Sequence, residues 1–234
     1  MTPRDDDVVL EDIRFPLDGS RVEQLAGTLA YPASQRPALP PVLVLPPHPN
    51  FGGDRRNNVV RSLVQAIAAS GRVVLVPDYH GLGGGSTVDL GETSLIDHWA
   101  DIETRRDHGL PVRDALAARA ALARAAGEGV FASVGYSYGS IVESLAFGAD
   151  AEVERRVWIG PPWTRHTFKA PVTGAPHLVL AGAEDFLHDA AEASRIAVLA
   201  GVRMASIESA DHFLRGHEDE AARLITGFLD ERAR

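Results

Sequence analysis

Val130-Phe131-Ala132-Ser133-Val134-Gly135-Tyr136-Ser137-Tyr138-Gly139-Ser140-Ile141-Val142 is the stretch from which the rest of the chain can be read. Its first five residues are apolar or small and strand-like. After Gly139 the apolar positions Ile141, Val142, Leu145, Ala146 and Ala149 fall on one helical face. A serine with a glycine two positions away on each side, at a strand-to-helix junction, is the pattern of a sharp turn that displays a hydroxyl at the end of a sheet. The glycines are required because side chains at those positions collide with neighbouring backbone, and the serine itself is held in a strained conformation. The helix end behind it offers unpaired N–H groups and a positive dipole to a developing negative charge.

Working outward, apolar strand-like runs alternate with helical patterns on both sides of this turn. Residues 8–17 and 22–31 read as two strands with Asp18-Gly19 as a hairpin turn signal. Val42-Leu43-Val44-Leu45 is wholly apolar, as expected of a strand buried on both faces. A helix over 56–70 carries Val60, Leu63, Val64 and Ile67, and residues 72–77 form the next strand. Helices follow near 94–107 and 112–126, then the strand 130–134 and the helix 139–149. Strands at 155–159, 177–181 and 202–208, a helix near 188–200 and a last helix over 217–232 complete the chain. This alternation predicts one α/β domain spanning residues 1–234, with a mostly parallel, doubly wound sheet and two antiparallel strands at its start.

Composition narrows the function. The chain has 234 residues, a formal net charge of −9 and no cysteine. An acidic chain with no basic stripe is not expected to bind nucleic acid. The lack of cysteine excludes disulfides, thiolate metal sites and a cysteine nucleophile. No apolar run approaches the ~20 residues of a membrane span, and the acidic N-terminus lacks a signal-peptide core, so a cytoplasmic protein is expected. The histidines form no HExxH pair and the carboxylates no calcium-loop pattern, so neither metal nor cofactor is expected. Gly81-Leu82-Gly83-Gly84-Gly85 lacks phosphate-loop spacing and reads as an ordinary loop. The composition leaves room for a homodimer.

A serine hydroxyl is a weak nucleophile until a base takes its proton and a third group orients that base. In an open α/β sheet these groups belong at the C-terminal ends of strands. Asp185 follows the strand 177–181, and His212 follows the strand 202–208. With Ser137 they stand in the chain order serine, acid, histidine that this kind of turn demands. Glu184 is the less favoured acid, and His217, at the start of the last helix, the less favoured base. An oxyanion needs two N–H donors. One is expected from Tyr138. The other is expected from Pro46-Pro47-His48-Pro49-Asn50-Phe51-Gly52-Gly53, where the prolines cannot donate and Asn50 or Phe51 is left. His48 either lines the pocket or holds this loop through a backbone hydrogen bond. Tyr136 and Tyr138 flank the serine and Phe213 adjoins the histidine, which makes the pocket partly apolar. The segment from Gly160 to Pro176 is too short for a separate cap domain. Trp163 and Phe168 within it either cover the site or pack on the body, and residues 94–127, with His98 and Trp99 near their start, supply a second candidate wall.

Over nearly its whole length the chain resembles the α/β-hydrolases. Within them it is similar to the small bacterial hydrolases akin to dienelactone hydrolases, whose third strand ends in His-Pro-His-Pro, two variable residues and Gly-Gly, followed by Asn-Lys-Val-Val. Here Pro46 replaces the first histidine and Asn58 the lysine, so any role of those two residues does not carry over. Ser137, Asp185, His212 and Pro161-Pro162 match. The resemblance implies hydrolysis of a small ester, thioester or related acyl bond on a small-molecule substrate. A lyase, cyclase or dehydratase on the same three residues is the alternative, and a non-catalytic binding protein the weaker one.

Overall fold

The computed structural model describes residues 8–17, 22–34, 39–83, 87–169, 171–172, 174–199 and 201–231. Eight strands form one sheet: β1 (Val8–Pro16), β2 (Gln24–Pro32), β3 (Val42–Leu45), β4 (Val74–Pro77), β5 (Phe131–Tyr136), β6 (Val153–Ile159), β7 (His177–Gly182) and β8 (Val202–Ile207). Their spatial order is β1-β2-β4-β3-β5-β6-β7-β8. β1 and β2 pair antiparallel, as do β2 and β4, and every other pairing is parallel. Six α-helices connect them: α1 (Asn58–Ala69), α2 (Leu95–Arg105), α3 (Gly109–Ala126), α4 (Tyr138–Phe147), α5 (Ala190–Ala197) and α6 (Glu218–Asp230). This is the single-domain, mostly parallel arrangement expected from the sequence, with antiparallel strands at the start. The expected Asp18-Gly19 turn lies outside the described residues.

Successive side chains of a strand point to opposite faces, so each central strand feeds two cores. Val42 and Val44 of β3, with Ala132 and Val134 of β5, pack under α1 and α6 among Val60, Leu63, Ile225 and Phe228. Leu43, Leu45, Phe131 and Trp158 face the other way, into a core closed by Trp99 of α2, Leu122 of α3, Ile141 of α4 and Ile196 of α5. β3 is four residues long and wholly buried, which is why its sequence shows no polar alternation.

Element ends shift where side chains or backbone chemistry intervene. The strand read from residue 72 begins at Val74, because Arg72 turns to donate to the carbonyls of Pro40 and Leu229 and to pair with Asp230. The helix read from residue 112 begins at Gly109. Pro111 sits in its first turn, where a missing N–H leaves no hydrogen bond unmade.

Beneath α4 lies a fully buried polar cluster. The Glu143 carboxylate accepts from the Ser133 hydroxyl (2.6 Å), from the Trp158 indole N–H (2.6 Å) and from Arg156, which also donates to the Phe147 carbonyl. These bonds fasten α4 to β5 and β6, and so hold the helix that starts behind Ser137.

Candidate active site

β5 ends at Tyr136 and α4 begins at Tyr138, so Ser137 alone makes the turn, with φ 51° and ψ −115°. A non-glycine residue held there costs about 1–3 kcal/mol. The flanking glycines allow it. A Cβ on Gly135 would lie 2.5 Å from the Gly139 carbonyl oxygen, and one on Gly139 would lie 2.1 Å from that of Leu45. Both distances are impossible contacts, so the turn tolerates no side chain at either place.

The Ser137 Oγ lies 2.9 Å from His212 Nε2, across a sequence separation of 75 residues. On the other side of the ring, His212 Nδ1 is 2.9 Å from Asp185 Oδ2 and 3.0 Å from Oδ1. A carboxylate cannot donate, so Nδ1 carries the proton and Nε2 is the bare nitrogen facing the serine hydroxyl. Asp185 is fixed in turn by the Leu187 N–H, which donates to Oδ1 at 2.8 Å. The loops bearing Asp185 and His212 are joined by a bond from the Glu184 N–H to the Ala210 carbonyl (2.9 Å). The Tyr136 hydroxyl donates to the His212 carbonyl (3.1 Å). All three residues are buried, whereas Glu184 is exposed and His217 caps the start of α6. The structure therefore brings together the favoured acid and base rather than their alternatives.

The loop after β3 behaves differently from its sequence reading. Residues Pro49–Phe51 form one 3₁₀ turn capped by His48. The Asn50 N–H donates to His48 Nδ1 (3.2 Å) and the Phe51 N–H to the His48 carbonyl (3.0 Å). The two donors expected to be available are thus engaged inside the loop. The Gly52 and Gly53 N–H groups are engaged as well, with Pro49 and His48. Among the described hydrogen bonds of this loop, the His48 N–H alone has no acceptor. The His48 and Tyr138 rings meet edge to face at 4.9 Å. Tyr138 is the first residue of α4, so its N–H has no partner within the helix. His48 both lines the cavity and holds the loop, the two roles left open by its sequence.

The cavity above Ser137 has a volume of about 350 Å³. One wall is Pro47, His48, Phe51 and Asn57. A second comes from the α2–α3 junction, with Glu103, Arg106 and His108, and runs on to Tyr138 and Ile141. Pro162, Arg165 and His166 close a third side, and Phe186, Leu187, His212 and Phe213 the fourth. Tyr136 lies at the floor. Trp163 and Phe168 do not line the cavity. Trp163 is buried against His188 (ring centroids 5.1 Å) and Phe168 against Trp158 (4.8 Å). The segment supplies its wall through the neighbours of Trp163 instead. The 94–127 segment does form a wall, but His98 and Trp99 are not part of it. His98 bonds His80 Nε2 to Nε2 (2.7 Å), and Trp99 stacks on His80.

Burial disfavours the charged form of three of the lining imidazoles. It lowers His48 and His108, and brings His166 down to about 4 with help from His108 and Arg106. His108 Nδ1 lies 3.0 Å from the Tyr138 hydroxyl, whose own pKa burial raises. The cavity is therefore a mixed surface of aromatic rings and uncharged polar groups, with Arg106, Arg165 and Glu103 exposed at its edge. Among the described residues, no group of three or more histidine, aspartate or glutamate side chains is placed to hold a metal ion. No helix among them is long and apolar enough to cross a membrane.

No family model matches the chain, and no curated protein matches it by sequence. Solved structures do. An α/β serine hydrolase homologue from Coxiella burnetii is 19% identical, with a TM-score of 0.74 over 94% of this chain and 97% of that one. A dienelactone hydrolase from Anabaena variabilis is 17% identical, with a TM-score of 0.70 over 97% and 100%. An α/β serine hydrolase from Xanthomonas campestris, described as having no lid, is 20% identical, with a TM-score of 0.65 over 95% and 97%. Strand order, antiparallel start and whole-length superposition agree: this chain has the α/β-hydrolase fold, with dienelactone hydrolases among its structural neighbours.

Proposed function

We propose that this protein is a serine hydrolase that cleaves a small ester or thioester through an acyl-enzyme on Ser137. One observation carries the reading: a strained, buried serine hydroxyl sits 2.9 Å from the bare nitrogen of an imidazole whose other nitrogen is held by a buried carboxylate. A binding role does not need three residues from three loops in that arrangement, nor a strained backbone to present one of them.

In the proposed cycle, Ser137 Oγ attacks the substrate carbonyl while His212 Nε2 takes its proton, forming a C–O bond and an imidazolium. Asp185 holds the ring in the required tautomer and offsets its charge without taking up the proton. The oxyanion rests on the Tyr138 N–H at the start of α4 and on the His48 N–H, in place of Asn50 or Phe51. When the tetrahedral carbon collapses, the bond to the leaving oxygen or sulfur breaks and that atom takes the proton from Nε2–H. Water then repeats the sequence on the acyl-enzyme, giving its proton to Nε2 and releasing the carboxylic acid and free Ser137. Removal of one such donor typically costs 10²–10³-fold in rate, so the two N–H groups are a large part of the expected acceleration.

The test is hydrolysis of p-nitrophenyl acetate, butyrate and octanoate and of a phenyl thioester by the wild type and by Ser137→Ala. Fluorophosphonate labelling runs beside it. The expected result is turnover that falls about 10³-fold or more in the variant, with labelling confined to Ser137. Labelling at Ser137 without turnover of any ester or thioester would overturn the hydrolase reading in favour of non-hydrolytic chemistry.

A further inference from the structure

The aromatic side chains at the cavity mouth are distributed unevenly about the proposed reacting atoms. Phe186 and Phe213 follow directly after Asp185 and His212 in the chain. Their ring centroids lie 5.4 Å and 5.6 Å from the His212 ring and 5.9 Å from each other. Both line the cavity, yet Phe186 is 63% exposed and Phe213 37%. Two adjoining, outward-facing phenylalanines beside one imidazole form an apolar shelf that folding alone does not require. The lining around Tyr138 and His108 is buried instead, and with His166 it is mixed in polarity.

Chemistry distinguishes the two sides. In acyl transfer His212 Nε2 hands its proton to the leaving atom, so the leaving group must lie against the histidine, while the acyl chain points away from it. We infer that the leaving group of the natural substrate is a large apolar alcohol or thiol, aromatic by preference, resting on the Phe186–Phe213 shelf with part of its body outside the cavity. Rings that can meet edge to face or offset favour an aromatic partner over an aliphatic chain of equal area. The acyl portion, placed among the buried residues around Tyr138 and His108, is the smaller half. This inference rests on the serine-hydrolase reading and adds to it which half of the substrate is bulky.

The test holds the acyl group constant. Ethyl, benzyl and 2-naphthylmethyl acetate share one acyl group and leave as alcohols of comparable basicity, so the ratio of their kcat/KM values reads contact with the leaving group. The expected ratio of 2-naphthylmethyl to ethyl acetate is tenfold or more. Phe186→Ala and Phe213→Ala are each expected to shrink it at least threefold, and Phe186→Trp to preserve it. Neither ring is buried in the core, so these variants keep the fold. A ratio within twofold of unity, or one unchanged in both alanine variants while Ser137 still reacts with a fluorophosphonate, overturns the leaving-group assignment and leaves the nucleophile standing. A gain that instead follows acyl length, from ethyl acetate to ethyl octanoate, and is lost in the alanine variants places the acyl chain on the shelf and also overturns it. Absence of both labelling and turnover overturns the hydrolase reading and this inference together.

Discussion

Gly160 stands against Asp185: a Cβ built on the glycine would lie 3.2 Å from Asp185 Oδ2 and 3.3 Å from His212 Nδ1. The glycine directly follows β6, has φ 48°, and gives its N–H to the Leu180 carbonyl at 2.7 Å. Any side chain there presses on the bond between Asp185 and His212 and also pays the cost of a left-handed conformation. Gly160→Ala is expected to lower kcat against p-nitrophenyl acetate about tenfold, since small misplacements of reacting groups are costly. KM is expected to change less, because Gly160 does not line the cavity. A variant with unaltered kcat would show that the Asp185–His212 contact has room to adjust.

The tautomer of His212 gives a sharper expectation. Asp185 accepts from Nδ1–H, which leaves Nε2 bare toward Ser137. Asp185→Asn keeps the shape but presents an amide that can donate to Nδ1, favouring the tautomer whose Nε2 carries the proton and cannot accept one from serine. The expected loss in kcat is on the order of 10³–10⁴-fold, with thermal stability little changed. Rate against pH checks it, because loss from a wrong tautomer is partly recovered as hydroxide replaces the base.

Much of this architecture is legible in the sequence because its physical causes are local. The tight turn at Ser137 needs glycines at 135 and 139, and the proposed acid and base must leave the sheet at strand ends. Asp185 and His212 could therefore be located from apolar runs alone. What resists reading is the destination of hydrogen bonds and side chains inside irregular segments. Nothing local announces that the prolines at 46, 47 and 49 fold the loop so that the Asn50 and Phe51 N–H groups bond back to His48. Trp163 is as apolar when it packs against His188 as it would be over a substrate. The shelf residue Phe186 did carry a signal, since it adjoins Asp185 as Phe213 adjoins His212. Gly160 carried none, because its neighbour in space is 25 positions away in the chain.

The buried cluster under α4 predicts an asymmetry between breaking and replacing a charge pair. Glu143 and Arg156 are both fully buried, and the carboxylate also accepts from Ser133 and Trp158. Glu143→Gln leaves the Arg156 charge in the core without its partner, which typically costs about 3–5 kcal/mol. For a chain of this size that corresponds to a fall in Tm of roughly 6–20 °C. Thermal unfolding checks this, and Glu143→Gln with Arg156→Met is expected to recover part of the loss. Activity should fall alongside stability in the single variant, because α4 carries the Tyr138 N–H.

His177, on the first residue of β7, predicts how stability depends on pH. Burial, with the nearby Arg156 charge, brings its pKa down to about 3, and neither ring nitrogen has a hydrogen-bond partner among the described residues. The unfolded chain takes up a proton at this residue below about pH 6.5, whereas the folded protein does not until about pH 3. The unfolded state therefore binds more protons in that window, and the stability present above pH 6.5 is lost as pH falls through it. One such group contributes a slope of at most about 1.4 kcal/mol per pH unit. His48, His108 and His166, also lowered by burial, add in the same direction. His177→Phe keeps the edge-to-face contact with Trp158, now at 4.3 Å. It removes two unpaired buried nitrogens, each worth about 1–3 kcal/mol if wholly unsatisfied. Urea unfolding at pH 7 and pH 5 is the check: the variant is expected to be more stable at both, with the larger gain at pH 5. An equal gain at the two pH values would mean that His177 binds its proton in the folded core, contrary to the burial that surrounds it.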